Sequence, residues 1–105
     1  MQIFATMVGS NFRPSEARAK VKEMQIGEKV GLMAEPENAY DSNAVKVIYD
    51  GEFVGYLSRE SNAETAAHLL NGGEYEAEIV SFLAANKPHL QIDLLGADED
   101  ELDFD

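Results

Sequence analysis

Residues 35–57 read EPENAYDSNAVKVIYDGEFVGYL, and this stretch decides the fold because it contains a polar turn, a strand and a hairpin in succession. Its first part is rich in Pro, Asn and Asp, which favour local turns and side-chain bonding to the backbone, so it predicts a loop. The alternation that follows predicts a strand with Val45, Val47 and Tyr49 buried on one side. Asp50-Gly51 then predicts a two-residue hairpin turn, after which a second strand returns beside the first.

Alternating apolar residues in the rest of the chain predict further strands, separated by turn residues. The other predicted strands are residues 2–9, 29–35, 52–57, 74–83 and 90–95. The last two are expected to be joined around Asn86-Lys87-Pro88, a combination that favours a turn.

Two short helices are predicted between the strands. Pro14 suits the first turn of one helix, in which Ala17, Val21 and Met24 share a face and which ends before Gly27.

The second helix is predicted from a capping box. Ser61 and Glu64 have the spacing of that motif, and an apolar stripe of Ala66, Ala67 and Leu70 follows. The helix is expected to run for about three turns and to stop at residues 71–73, which include two glycines.

The resulting order is strand, helix, three strands, helix, two strands, and it predicts a mainly β (α+β) fold. The strands are short and most are joined by hairpins, which favours an antiparallel arrangement over a parallel sheet. We expect a small, curved sheet or partly open antiparallel β-barrel of about five to six strands, with two short helices at its edge or mouth.

Composition fits one domain. The chain has 105 residues, 45% of them hydrophobic, and we expect a single domain over residues 1–96 followed by an acidic tail, residues 97–105. There is no cysteine, so disulfides and cysteine-based zinc sites are excluded. No apolar run approaches the roughly 18 residues of a membrane span and the start lacks a signal-peptide pattern, so the sequence predicts a soluble cytoplasmic protein.

The charge balance opposes binding to phosphates, because 20 acidic and 8 basic residues give a formal net charge of −12. Six of the acidic residues lie in residues 98–105, and without them the balance is 14 acids against 8 bases, or −6. Five bases lie close together in the sequence and could form a basic face: Arg13, Arg18, Lys20, Lys22 and Lys29. Any DNA binding is therefore expected to be weak, local and salt-sensitive.

Two groups of residues carry a resemblance to a known family. Asn38-x-Tyr40-Asp41-x-Asn43-Ala44-Val45-x-Val47 is followed, after a short gap, by Gly55-x-Leu57-x-Arg59-Glu60. In these positions the chain resembles the HIRAN domain, over most of residues 1–95. That family occurs at the N-terminus of DNA-repair ATPases and as free-standing prokaryotic and phage proteins. The resemblance implies an OB- or SH3-like barrel with added helices and a role in binding single-stranded DNA.

Tyr40 and Asp41 are the first candidate pair. In one interpretation Asp41 and Asn43 bond the backbone of the turn while Tyr40 covers the end of the barrel. In the other, the ring stacks on a nucleobase and the carboxylate accepts a hydrogen bond from a sugar hydroxyl, which could recognise a free 3′ end. The resemblance implies the second role, and both can hold together. Ala39 departs from the family, which usually has proline there.

Asn11 and Phe12 follow the first predicted strand, where the resemblance implies a basic residue and an aromatic one. Phe12 either stacks on a base or fills the core beside Pro14, and the sequence leaves both open. Asn11 cannot supply a charge, so Arg13 is the candidate that replaces it as a phosphate contact.

Arg59 matches a basic position of the family and is a candidate phosphate clamp. Its alternative role is a surface ion pair with Glu60 or Glu64. Tyr56 can reach the same groove. Phe82 either stacks on a second base or faces the core, and the core position is favoured.

No enzyme, cofactor or metal site is predicted. His68 and His89 have no third ligand at a suitable spacing. The glycines 72–73 follow a predicted helix instead of opening one, so they do not form a phosphate loop. Lys46 is expected to be an ordinary solvated side chain.

The sequence therefore favours a non-catalytic nucleic-acid-binding module that recognises single-stranded DNA or DNA 3′ ends, in the context of DNA repair. The candidate contacts are Asn11, Phe12, Arg13, Tyr40, Asp41, Tyr56, Arg59 and Phe82. The alternative is an acidic protein-interaction module, or a DNA mimic, on the same fold, with a protein partner bound through the acidic tail.

Overall fold

The structure is a computed structural model that describes residues 1–83 and 87–97. The predicted acidic tail therefore lies outside the described residues, except for Ala97. Part of the predicted turn between the last two strands also lies outside them.

Six strands and two α-helices make up the described chain. They are β1 (Gln2–Val8), α1 (Ser15–Glu23), β2 (Gly31–Ala34), β3 (Val45–Tyr49), β4 (Glu52–Leu57), α2 (Ala63–Leu70), β5 (Tyr75–Leu83) and β6 (Lys87–Leu94). Two short 3-10 helices, Ser10–Phe12 and Arg59–Ser61, precede the α-helices. Within the part of the chain that the structure describes, no helix is long and apolar enough to cross a membrane.

The strands form one antiparallel sheet in the order β2-β3-β4-β1-β6-β5. The sheet curls until its two ends meet, because the segment before β2 bonds to β5. The Gly27 N–H donates to the Ile79 carbonyl at 2.7 Å, and the Val30 N–H donates to the Ala77 carbonyl at 3.0 Å. The result is a strongly curled half-barrel with two short helices, which confirms the predicted fold class. The regular strand β2 begins later than predicted because the chain before Gly31 bonds to β5.

The β3–β4 hairpin forms as its sequence predicts. Asp50 and Gly51 have φ values of 52° and 80°, the two consecutive positive angles that a type I′ turn requires. The inward-facing Val45, Val47 and Tyr49 are 0%, 0% and 8% exposed. The decisive stretch therefore contributes a full face to the core.

An irregularity in β5 decides the direction of Phe82. The register between β5 and β6 shifts between Ile79 and Ser81, after which Phe82 pairs with the buried Pro88. Such a bulge reverses the side-chain alternation along a strand. Phe82 consequently packs against the core, near Met24 of the segment after α1.

The predicted capping box of the second helix is wrong. Ser61 lies in the 3-10 helix that follows β4, and α2 begins only after Asn62 and has 8 residues. The chain already turns at this 3-10 helix, where the Ser61 N–H donates to the Ser58 carbonyl at 3.1 Å. The helix is therefore shorter than predicted and rotated.

The buried face of α2 also differs from the predicted stripe. Thr65 and Ala66 are buried, whereas Ala67 and Leu70 are exposed. Asn62, Thr65, Ala66 and the partly buried Leu69 have the i, i+3, i+4, i+7 spacing of one helix face, and this face is the one that packs against the core.

Candidate functional site

A pocket of about 220 Å³ opens beside the loop between β2 and β3, where the C-terminal ends of β1 and β4 meet. One wall comes from these strands, one from the loop and one from the segment that leads into α2. The lining residues are Val8, Asn38, Tyr40, Asp41, Ala44, Tyr56, Leu57, Arg59 and Asn62. The pocket therefore combines residues of several elements.

The β2–β3 loop is held by its own side chains, as its composition predicts. Asn38 Oδ1 accepts hydrogen bonds from the backbone N–H groups of Tyr40 and Asp41, at 2.9 and 3.0 Å. Asp41 Oδ1 accepts one from the Asn43 N–H at 2.9 Å. Tyr40 does not cover the end of the barrel, because its residue surface is 86% exposed. The loop thus presents an aromatic ring to solvent on a fixed turn.

The Asp41 carboxylate is positioned from both sides. Asn62 Nδ2 donates to Asp41 Oδ2 at 2.9 Å, and Arg59 Nε lies 3.6 Å from the same oxygen. The Asn62 hydrogen bond and the Asn43 backbone N–H, with a smaller contribution from the Arg59 charge, hold the pKa of Asp41 below its ordinary value. Asp41 therefore stays ionised, and as an acceptor with about four lone-pair sites it can take a further donor.

Glu35 ties the base of the loop to the barrel. Its Oε1 accepts hydrogen bonds from Asn38 Nδ2 at 2.7 Å and from the Tyr56 hydroxyl at 2.8 Å. Its Oε2 lies 3.1 Å from Lys46 Nζ. The Asn38 and Tyr56 hydrogen bonds are the main causes that lower the pKa of Glu35.

Tyr56 and Lys46 are both constrained by this carboxylate. Burial, and then the hydrogen bond to Glu35, raises the pKa of Tyr56, so its ring is held as a neutral wall of the pocket. Lys46 is not the freely solvated side chain that was predicted, since it also lies 4.9 Å from the centre of the Phe53 ring.

Arg59 turns toward the loop and not toward the glutamates near it in sequence. Its Nη2 donates to the Tyr40 carbonyl at 2.9 Å, and its charge faces Asp41. The side chain is still 71% exposed. A guanidinium has five N–H donors, so this arrangement orients Arg59 at the pocket mouth and leaves donors for an anion.

The structure brings together four of the eight sequence-predicted contacts, namely Tyr40, Asp41, Tyr56 and Arg59, in this pocket. The other four lie outside its lining: Asn11, Phe12, Arg13 and Phe82.

Three of these residues, Asn11, Phe12 and Arg13, lie in or next to the first 3-10 helix, on a surface beside the pocket. Phe12 is 91% exposed and does not fill the core. Asn11 lines a groove along α1. The Arg13 guanidinium lies 3.8 Å above the Phe53 ring, and its Nε donates to the Phe53 carbonyl at 3.0 Å. Since Phe53 also contacts the Tyr56 ring edge-on at 5.1 Å, Arg13 is adjacent to one pocket wall.

Sequence reasoning missed Asn62, Asn38 and Glu35 as members of the site. Asn38 carried a signal, because asparagine in a turn commonly bonds the backbone two residues further on. Asn62 carried none, since its partner Asp41 lies 21 positions away in the sequence.

The histidines make other contacts. His68 Nε2 lies 2.6 Å from the Glu74 carbonyl, and His89 Nδ1 lies 3.4 Å from Thr6 Oγ1. Among residues 1–83 and 87–97, no cluster of three His, Asp or Glu side chains is arranged to hold a metal ion.

Comparison with known proteins gives one family match. The model of the HIRAN domain matches residues 2–95. A Fanconi-associated nuclease 1 homologue from rice, Oryza sativa subsp. japonica, is 40% identical over 60 residues, which are 53% of this chain and 6% of the rice protein. The chain thus spans only a small part of that relative.

Two solved structures are similar. A crystal structure of a protein from Lactobacillus plantarum superposes with a TM-score of 0.70 and 21% identity, covering 87% of this chain and 92% of that one. The crystal structure of the HIRAN domain of human HLTF superposes with a TM-score of 0.65 and 25% identity, covering 89% of this chain and 74% of that one.

Proposed function

The chain belongs to the HIRAN domain family, and from this premise we propose that it binds single-stranded DNA at a free 3′ end without catalysing a reaction. The HIRAN domain is known as a DNA-binding module. Preference for a single strand and for its 3′ end is our proposal for this chain.

One observation carries the proposal: the exposed ring of Tyr40 stands next to the fixed carboxylate of Asp41 at the mouth of one pocket. An aromatic face can stack on any base and contributes about 1–3 kcal/mol per base. A carboxylate repels a phosphate and accepts a hydrogen bond from a hydroxyl. The pair therefore favours a terminal sugar that ends in a hydroxyl over one that ends in a phosphate.

Phosphates of the strand are assigned to the arginines. Arg59 lies at the pocket mouth and is mostly exposed, which supports assigning it the phosphate that precedes the terminal nucleotide. Arg13 lies beside Phe53, next to the Tyr56 wall, and is proposed as a second contact to this same phosphate, with the exposed Phe12 and Asn11 as flanking contacts. Phe82 has no place in this arrangement because it packs against the core.

The basic residues between positions 13 and 29 offer less free positive charge than the sequence indicates. Lys20 pairs with Asp50 at 2.5 Å and Lys29 pairs with Glu78 at 3.4 Å. Acidic partners thus neutralise part of the positive charge of this face. The net charge of −12 also repels DNA at long range. We expect modest affinity that falls as salt rises.

The experiment is fluorescence anisotropy of a labelled single-stranded octanucleotide ending in a 3′ hydroxyl, compared with the same strand ending in a 3′ phosphate. The wild type should prefer the hydroxyl end. Tyr40→Ala should weaken binding roughly 5- to 150-fold, as the loss of one stacked base implies. Asp41→Asn should reduce the preference for the hydroxyl, because the neutral amide no longer repels the phosphate.

Leu70→Ala is the matched control, because it removes an exposed apolar side chain from α2, outside the pocket lining. Equal binding of both strand ends by the wild type would refute 3′-end recognition. Unchanged binding by Tyr40→Ala would refute the stacking role.

The partial similarity to a Fanconi-associated nuclease homologue supports a place in DNA repair, although the chain matches only 6% of that protein. The acidic residues 98–105 are the proposed contact for a protein partner, because a segment of one charge sign attracts basic surfaces.

A further inference from the structure

On the outer face of the sheet, side chains of β1 form a row that begins at the pocket. Ala5 and Met7 are buried, so the alternating residues Phe4, Thr6 and Val8 face outward. Val8 is also a wall of the pocket. The row therefore continues the pocket surface along β1.

Strand β6 supplies the other half of this row. The antiparallel register pairs Thr6 with His89, and Lys87, two residues before His89 on β6, faces the same side of the sheet. Lys87 is exposed. A cation therefore lies beyond His89 on β6, on the side that leads toward the pocket end of β1.

Phe4 and His89 form a stacked aromatic pair on this face. Their rings are nearly parallel, at 10°, with centroids 6.1 Å apart, and Phe4 is 51% exposed. Around Phe4, β1 is paired with β6 in an unbroken antiparallel register, so the aromatic pair stands on hydrogen-bonded strands. Aromatic side chains exposed on the face of a sheet are a common platform for unpaired bases.

We propose that Phe4 and His89 form a second base-stacking site, which binds the nucleotides that lie on the 5′ side of the terminal one. Lys87 is assigned the phosphate between the two sites. This inference rests on the proposed function, because the 3′ end in the pocket sets the direction of the strand.

The dimensions of the row limit the nucleotides that it can bind. Val8 and Phe4 are about 13 Å apart at roughly 3.3 Å per residue, which is at most about four nucleotides at the duplex rise of roughly 3.4 Å. Beyond Phe4 the row ends at Gln2, which pairs with Asp93, and that acid opposes a further phosphate. A dinucleotide should therefore fill the pocket alone, and an octanucleotide should fill both sites.

The test compares these two ligands, each with a free 3′ hydroxyl. Anisotropy measures the labelled octanucleotide, and competition against it measures the dinucleotide. Phe4→Ala should weaken binding of the octanucleotide roughly 5- to 150-fold and leave binding of the dinucleotide unchanged. Phe4→Trp should retain octanucleotide binding, and the control Leu70→Ala should alter neither ligand.

Two results would overturn the second site: wild-type octanucleotide affinity in Phe4→Ala, or equal weakening of both ligands. In either case, if the wild type binds the 3′ hydroxyl strand more tightly than the 3′ phosphate strand, the pocket proposal still stands. If the wild type binds both strand ends equally, the pocket proposal and the second site are both overturned. Sedimentation provides a further check, since a dimer that Phe4→Ala dissociates without affecting DNA affinity would assign this face to self-association instead.

Discussion

Asn62 occupies the position before α2, where a polar side chain usually caps the helix. It makes no side-chain cap bond there, and its amide donates to Asp41 instead. The side chain is buried, with the residue 3% exposed, so this hydrogen bond is protected from water. A helix start is thus used to orient the carboxylate of the pocket.

We predict that Asn62→Ala lowers the melting temperature at neutral pH by about 4 to 8 °C, the change expected for one hydrogen bond in a domain of this size. It should also weaken discrimination between a 3′ hydroxyl and a 3′ phosphate, because Asp41 loses its orientation. Thermal unfolding followed by circular dichroism measures the first effect. Asn71→Ala, at the other end of α2, is the matched control.

The loss of stability in Asn62→Ala should depend on pH. The pKa of Asp41 is lower in the folded protein than its ordinary value of 3.8, and the Asn62 hydrogen bond is the largest cause. A carboxylate of this kind contributes stability above its ordinary pKa, and the contribution disappears as pH falls through the folded value. Asn62→Ala should therefore cost less stability at a pH well below 3.8 than at pH 7, and an equal loss at both would contradict the assigned partner.

At the scale of the elements, the pocket depends on how closely β4 approaches β1. Gly55 makes this approach possible, since an added Cβ would lie 2.8 Å from the Val8 carbonyl oxygen and 2.9 Å from Met7 Cγ. Tyr56, the next residue, pairs with Val8, and both line the pocket. The glycine of the Gly-x-Leu motif is therefore a packing requirement of the pocket wall.

Gly55→Ala should lower the free energy of unfolding by about 1–3 kcal/mol, because a methyl group there is forced against backbone. Urea unfolding measures this loss. Gly31→Ala is the control in another strand, because its added Cβ would meet Ile48 Cβ at 3.4 Å. If both variants lost the same stability, close approach at Gly55 would not be the cause.

At the scale of the whole molecule, charge opposes the proposed function. Six of the 20 acidic residues lie in residues 98–105, so this segment contributes half of the net charge. Repulsion between like charges acts over about 10 Å at 0.1 M salt and over about 3 Å at 1 M.

Removing residues 98–105 should tighten DNA binding several-fold at low salt, since the net charge changes from −12 to −6. The advantage should shrink as salt rises. Anisotropy across a salt series measures it, and the control is a chain in which the six acids of this segment become amides. If the neutralised segment left affinity at the wild-type value while deletion raised it, charge would not be the cause.

The sequence by itself determined the features that depend on neighbouring residues. The Asp50-Gly51 turn, the buried alternation of β3 and the Asn38 turn are local, because two to four residues contain the interactions that specify them. These features also carried the family resemblance, which the match over residues 2–95 confirms. The fold class followed from the order of such elements.

Only the tertiary structure decided what depends on distant residues. A bulge opposite β6 directs Phe82 inward, and the Asp41–Asn62 and Glu35–Tyr56 bonds join residues that are 21 positions apart. Sequence periodicity cannot show such pairings, because it records which face a side chain takes and not what lies across from it. The curl of the sheet therefore decided which of the predicted contacts share the pocket and which do not.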